Sequence, residues 1–143
     1  MNHNKARFNM VEQQVRPWQV LDPAVLQSLS RLPREQFVPA EVESLAYTDT
    51  DIPIGHGESL LAARIDARLA QDLQLKATDR VLDIGTGSGF LAAMLADLAH
   101  SVVSVEVNAS LAEAARQRLT RLGKPQVEVL VRDASAGLSD LGL

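Results

Sequence analysis

The hydrophobic positions change texture near residue 80. Beyond it RVLDI (Arg80–Ile84), VVSVE (Val102–Glu106) and VEVLV (Val127–Val131) are short β-branched runs bounded by turn residues, and they predict three strands. Between them FLAAMLADLA and ASLAEAARQRLTRL carry apolar residues at helical spacing, the second ending at Gly123. Strand–helix–strand–helix–strand with short connections predicts an α/β fold with a parallel sheet and right-handed crossovers.

Before residue 80 the pattern is one of short helices broken by prolines. Phe8, Met10, Val11 and Val15 fit a helical face that Pro17 stops. Asp22-Pro23 is a helix start, with aspartate as N-cap and proline in the first turn, and Val25, Leu26 and Leu29 give that helix one apolar side before Pro33. Phe37-Val38-Pro39 reads as an anchored turn. Ile65, Leu69 and Leu73, with Ala62, predict an amphipathic helix reaching Leu75. Just before it, Ile52-Pro53-Ile54-Gly55-His56-Gly57 places two glycines around a histidine and reads as a loop that approaches a ligand.

Composition narrows the classes. The 143 residues suffice for one compact unit. A net charge of -4, spread along the chain, argues against a nucleic-acid partner, and 3% aromatics leave no base-stacking platform. With no cysteine and three scattered histidines, no metal site is expected. No apolar run approaches a membrane span and the polar N-terminus lacks a secretory h-region, so a cytoplasmic location is the expectation.

The chemistry concentrates at the strand ends. Open α/β sheets bind ligands beyond the C-terminal ends of their strands. Here the first strand runs into Asp83-Ile84-Gly85-Thr86-Gly87-Ser88-Gly89, and glycines let a ligand approach the backbone. Glu106 ends the second strand, on the order of 20 residues further on, where a carboxylate accepts hydrogen bonds from ribose hydroxyls. Asp133 and Ala134 follow the third strand, where an adenine edge would lie; Asp133 also suits a helix N-cap.

A dinucleotide pattern read from Gly85 fails at Phe90, although a looser one from Gly87 uses Gly89 and Ala92. An acid before the loop repels a pyrophosphate and suits an ammonium group. S-adenosylmethionine is therefore the expected cofactor, with Asp83, Gly85, Thr86, Gly87, Glu106, Asp133 and Ala134 around it; an NAD-binding oxidoreductase is the outside competitor.

The chain resembles the protein-L-isoaspartate O-methyltransferases. The resemblance runs from Met10-Val11 to Gly137 and is carried by Arg31-Leu32-Pro33-Arg34-Glu35-Gln36-Phe37-Val38-Pro39, Ala46-Tyr47, Ile52 to Gly57, and Val81 to Gly89. It implies a Rossmann-like methyltransferase fold and methylation of the free carboxyl of L-isoaspartyl residues in damaged proteins. Residues 1–76 would form a helical cap with the substrate loop, and residues 77–143 the first half of the cofactor domain, all in one compact unit. A carboxylate is already a nucleophile and a sulfonium methyl already activated, so alignment and water exclusion provide most of the acceleration.

The family's loop continues Gln-Thr-Ile-Ser-Gln-Pro, with the serine hydroxyl close to the reacting carboxylate. Here Glu58, Ser59, Leu60, Leu61, Ala62 and Ala63 stand in those places. His56 and Ser59 are the acceptor-side candidates, although a histidine between glycines equally well braces its own loop. A homologue with another acceptor, or a non-catalytic cofactor-binding or oligomerising domain, are the alternative readings. Only ten residues follow Asp133, so the C-terminal half of the sheet is expected to be missing. The first strand would then keep an open edge, pointing to a fragment of a longer chain or to self-association through that edge.

Overall fold

A computed structural model describes residues 2–142. Its elements are α1 (His3–Met10), α2 (Pro23–Arg31), β1 (Ile52–Gly55), β2 (Glu58–Leu60), α3 (Ala63–Asp72), β3 (Arg80–Ile84), α4 (Phe90–Leu98), β4 (Ser101–Glu106), α5 (Ala109–Arg121) and β5 (Val127–Val131). The strands β3, β4 and β5 form a parallel sheet in that order, with Asp83 opposite Ser104 and Glu106 opposite Val131. The pattern beyond residue 80 predicted each of these three strands and both intervening helices. β4 is central and the most buried, while β3 has a partner on one side, and Leu82 and Ile84 are exposed.

The N-terminal region departs from its pattern in three places. After α1 the chain widens into a π-helix over Val11–Val15, in which Arg16 N–H reaches Val11 O. The wider turn buries Met10, Val11 and Val15 together and leaves Phe8 64% exposed, so Phe8 does not belong to the face assigned to it.

Helix α3 forms where expected but ends at Asp72 rather than Leu75, and its buried face is Ala63, Asp66, Ala67 and Ala70, whereas Leu69 and Leu73 are about half exposed. Alanines let α3 approach its neighbours closely, and that closeness outweighs the larger apolar area of the leucines. The segment around His56 is a β-hairpin rather than an open loop: β1 and β2 pair antiparallel, Ile52 opposite Leu60 and Pro53 opposite Ser59. His56 and Gly57 both take positive φ at its turn, a combination that matches the twist of paired strands.

Asp22 caps α2 as read, its carboxylate accepting from Ala24 N–H at 2.9 Å. One apolar core runs from Met10 to Val129 and joins the N-terminal segments to the sheet. At its centre Phe37 meets Phe90 edge to face, 5.3 Å between ring centroids. The fully buried Arg34 guanidinium lies 4.7 Å from the same Phe90 ring and donates to Ala46 O (2.6 Å) and Leu61 O (2.7 Å). A second clamp holds α1, where Arg7 donates to Tyr47 Oη and to Glu35, and Tyr47 Oη donates to Glu35 at 2.6 Å.

Gly89 is the N-cap of α4, with φ +90, and a Cβ there would come within 3.3 Å of Ala115 Cβ on α5. Gly89→Ala is expected to destabilise the fold by about 1–3 kcal/mol in urea denaturation. A double-mutant cycle with Ala115→Gly should recover the steric part of that cost. No coupling in the cycle would show that the α4–α5 approach does not depend on Gly89.

Candidate functional site

The ends of β3, β4 and β5 open into a cavity of about 600 Å³. One wall is the turn after β3. There Gly85 N–H and Thr86 N–H both donate to Val105 O, at 2.8 and 3.2 Å, folding the loop over the end of β4. Gly85 has φ +93, a conformation that favours glycine, and open space lies where a side chain would be.

Glu106 closes the same wall. Its Oε1 accepts from Gly87 N–H and its Oε2 from Asn108 N–H, each at 2.9 Å, while the residue is 6% exposed. One carboxylate thus ties the glycine turn to the start of α5, and each oxygen keeps a further lone pair.

Asp83 is anchored from β4. Its Oδ2 accepts from Ser104 Oγ at 2.7 Å, and Ser104 Oγ lies 2.6 Å from Thr86 Oγ1. Burial raises the Asp83 pKa above the usual carboxylate range; the Ser104 hydrogen bond opposes this and the nearby Glu106 charge adds to it. Asp133 lines the cavity while capping the turn Ala134–Ala136, accepting from Ser135 N–H (2.9 Å) and Ser135 Oγ (2.6 Å). These two bonds hold its pKa below the ordinary value. The capping role and the cavity position expected of Asp133 therefore coexist. Asp83, Gly85, Thr86, Gly87, Glu106, Asp133 and Ala134 all line this one cavity.

The opposite wall comes from β2, the turn after it and α3. Ser59 lines it, as do Glu58, Leu60 and Leu61. His56 does not: it sits exposed at the tip of the hairpin with φ +56, outside the lining, because pairing of β1 with β2 carries the turn away from the cavity.

Two participants escaped the sequence reading. Ser104 was signalled only by a polar residue in an otherwise apolar strand. Asp66 lies on the buried face of α3, lines the cavity, is 4% exposed, and its carboxyl has no hydrogen-bond partner among the described residues. Burial pushes its pKa up to about 7, with Arg34 opposing and Asp83 and Asp51 reinforcing the shift.

A parallel sheet with a glycine turn after its first strand, faced by acids at the ends of all three strands, defines a Rossmann-like site of the methyltransferase type. A solved protein-L-isoaspartate O-methyltransferase superposes with a TM-score of 0.78 at 24% identity, covering 96% of this chain and 44% of its own. A Plasmodium falciparum structure described as a protein-L-isoaspartate O-methyltransferase, in complex with S-adenosyl-L-homocysteine, gives 0.73 at 20% identity, covering 98% of this chain and 67% of its own. Both likenesses establish the fold. The chain belongs to the protein-L-isoaspartate(D-aspartate) O-methyltransferase family, which it matches over residues 5–142. The protein-L-isoaspartate O-methyltransferase of Methanoculleus marisnigri is 43% identical over 133 residues, 93% of this chain and 60% of that relative. The chain thus spans about three-fifths of that relative's length.

The raised pKa of Asp66 is a statement about stability. The folded state holds its proton more tightly than the unfolded chain, so the contribution is complete below about pH 4 and is lost as pH rises through 7. Asp66→Asn is expected to raise Tm at pH 8, by an amount worth up to a few kcal/mol, and to change it little at pH 4. Thermal melts at the two pH values check this, and equal shifts at both would contradict it.

Proposed function

We propose that this chain binds S-adenosylmethionine and directs methyl transfer to the free carboxyl of L-isoaspartyl residues in damaged proteins. The observation that carries the reading is the ring of Asp83, Glu106 and Asp133 around Gly85–Gly87, in a cavity whose other wall is the β2–α3 segment. Family membership supports the same reaction.

The fit to the cofactor rests on charge. Besides Asp66, four acids line the cavity, Glu58, Asp83, Glu106 and Asp133. The one lining guanidinium, Arg132, already donates to Asp140 at 2.7 Å. Such a cavity suits a ligand with an ammonium and a sulfonium and repels a pyrophosphate. In this reading Asp83 Oδ1 takes the ammonium, since Ser104 occupies Oδ2. Glu106 accepts from the ribose hydroxyls with its remaining lone pairs, and Asp133 with Ala134 borders the adenine. The cofactor supplies an activated methyl group.

The protein's own contribution is positional. Arg34 donates to Leu61 O and so fixes the chain between β2 and α3 against the cofactor side. Ser59 offers a hydroxyl to the acceptor, while His56 shapes the hairpin turn. Leu60, Leu61 and Leu69 exclude water from the acceptor wall. Residues 1–76 accordingly supply the acceptor side and residues 77–143 the cofactor side.

Calorimetric titration tests the cofactor assignment. S-adenosylhomocysteine is expected to bind and to displace labelled S-adenosylmethionine, whereas NAD should not. Glu106→Ala should weaken binding by about 1–3 kcal/mol, as for a hydrogen bond to a charged group. Displacement by NAD but not by S-adenosylhomocysteine would overturn the assignment.

A further inference from the structure

The acceptor wall contains a buried acid that the fold leaves unemployed. Its lining side chains are Glu58, Ser59, Leu60, Leu61, Asp66 and Leu69. Glu58 and Ser59 are exposed to solvent, and the leucines offer no polar atom. Asp66 is 4% exposed, accepts no hydrogen bond among the described residues, and forms no ion pair with Arg34. A carboxyl so placed is costly to ionise and inexpensive to keep neutral. In the neutral form it carries an O–H donor with no taker in the protein, and the space beside it is the cavity.

The surroundings explain what such a donor is for. The charged groups facing Asp66 are Arg34 from the segment after α2, Asp51 before β1 and Asp83 at the end of β3. The π-helix Val11–Val15 with its Glu12, α2 and α4, which also pack on α3, add none to this set. Arg34 is spent on Ala46 O and Leu61 O, Asp51 Oδ1 accepts from Ala62 N–H, and Asp83 belongs to the cofactor wall. An anionic acceptor entering this cavity meets acids on both walls. It needs one of them to be neutral and to donate.

We infer that Asp66, as the neutral acid, is the hydrogen-bond donor that receives the acceptor carboxylate. It thereby makes acceptor binding dependent on pH near neutrality. The inference rests on the proposed carboxyl acceptor and adds the residue that recognises it. A pKa near 7 places the titration in the range where the peptide's own carboxyl is ionised throughout. As pH rises, Asp66 loses its donor and becomes a second negative charge beside the acceptor. Asn at this position keeps an N–H donor at every pH, whereas Ala keeps none.

The test is titration of an isoaspartyl peptide into the chain saturated with S-adenosylhomocysteine. It compares unaltered protein, Asp66→Asn and Asp66→Ala between about pH 6 and pH 8.5, with the affinity for S-adenosylhomocysteine measured separately at each pH. For the unaltered chain, peptide affinity should fall about tenfold or more across that range. It should stay level in Asp66→Asn and be about tenfold weaker than the Asn variant at every pH in Asp66→Ala. Cofactor-product affinity should be the same in all three.

A level profile in the unaltered chain, or equal behaviour of Asn and Ala, would overturn the donor role alone. Binding of S-adenosylhomocysteine without peptide at any pH would overturn the carboxyl-acceptor reading and this inference with it. No binding of S-adenosylhomocysteine would overturn the cofactor assignment as well. The unaltered protein's own pH profile decides the question even if the alanine variant fails to fold.

Discussion

The arrangement of the molecule depends on one buried charge. Arg34 has lost all contact with solvent, and burial lowers its pKa to about 10 against the opposing influence of Asp66, Tyr47 and Asp51. What offsets the desolvation is a set of contacts that also define the site: carbonyls of Ala46 and Leu61 on two polar edges and the face of Phe90 on its flat side. Those contacts reach from the end of the N-terminal segments to the first residue of α4. The same guanidinium therefore joins the segment between β2 and α3 to the start of α4.

From that constraint the division of labour follows. The cofactor wall is built from backbone amides gathered by carboxylates, with Glu106 holding Gly87 and Asn108, and Asp83 held in turn by Ser104. Each acid is a structural acceptor and a ligand candidate at once, so the wall is ordered before any ligand arrives. The acceptor wall has less of this: one short strand, a hydroxyl from Ser59, leucines, and Asp66. On the proposed reading its selectivity comes from the few polar groups it has, Asp66 among them.

The parallel sheet and the glycine turn were legible because each strand is a short β-branched run and the helices are bounded by the glycine loop before α4 and by Gly123 after α5. All seven residues assigned to the cofactor line one cavity, for the same reason: strand ends in such a sheet converge by geometry. The hairpin was not legible, since strands of four and three residues are too short to show alternation. On α3 the leucines drew attention to the wrong face, because close approach through Ala63, Ala67 and Ala70 leaves no hydrophobic excess to read. Asp66 was hidden by the same error: on the expected face it would be a solvated acid, and only the true face buries it. Phe8 misled for a related reason, as a π-helix shifts the phase that a regular helix would have kept.

The central claim is that the two walls of this cavity bring an activated methyl and an isoaspartyl carboxyl together. The most direct measurement is transfer of labelled methyl from S-adenosylmethionine to a peptide containing L-isoaspartate, beside the isomeric peptide containing ordinary aspartate. The account predicts incorporation into the isoaspartyl peptide, as a base-labile methyl ester, and none above background into its isomer. Label in both peptides alike, or in neither while S-adenosylmethionine binds, would contradict it.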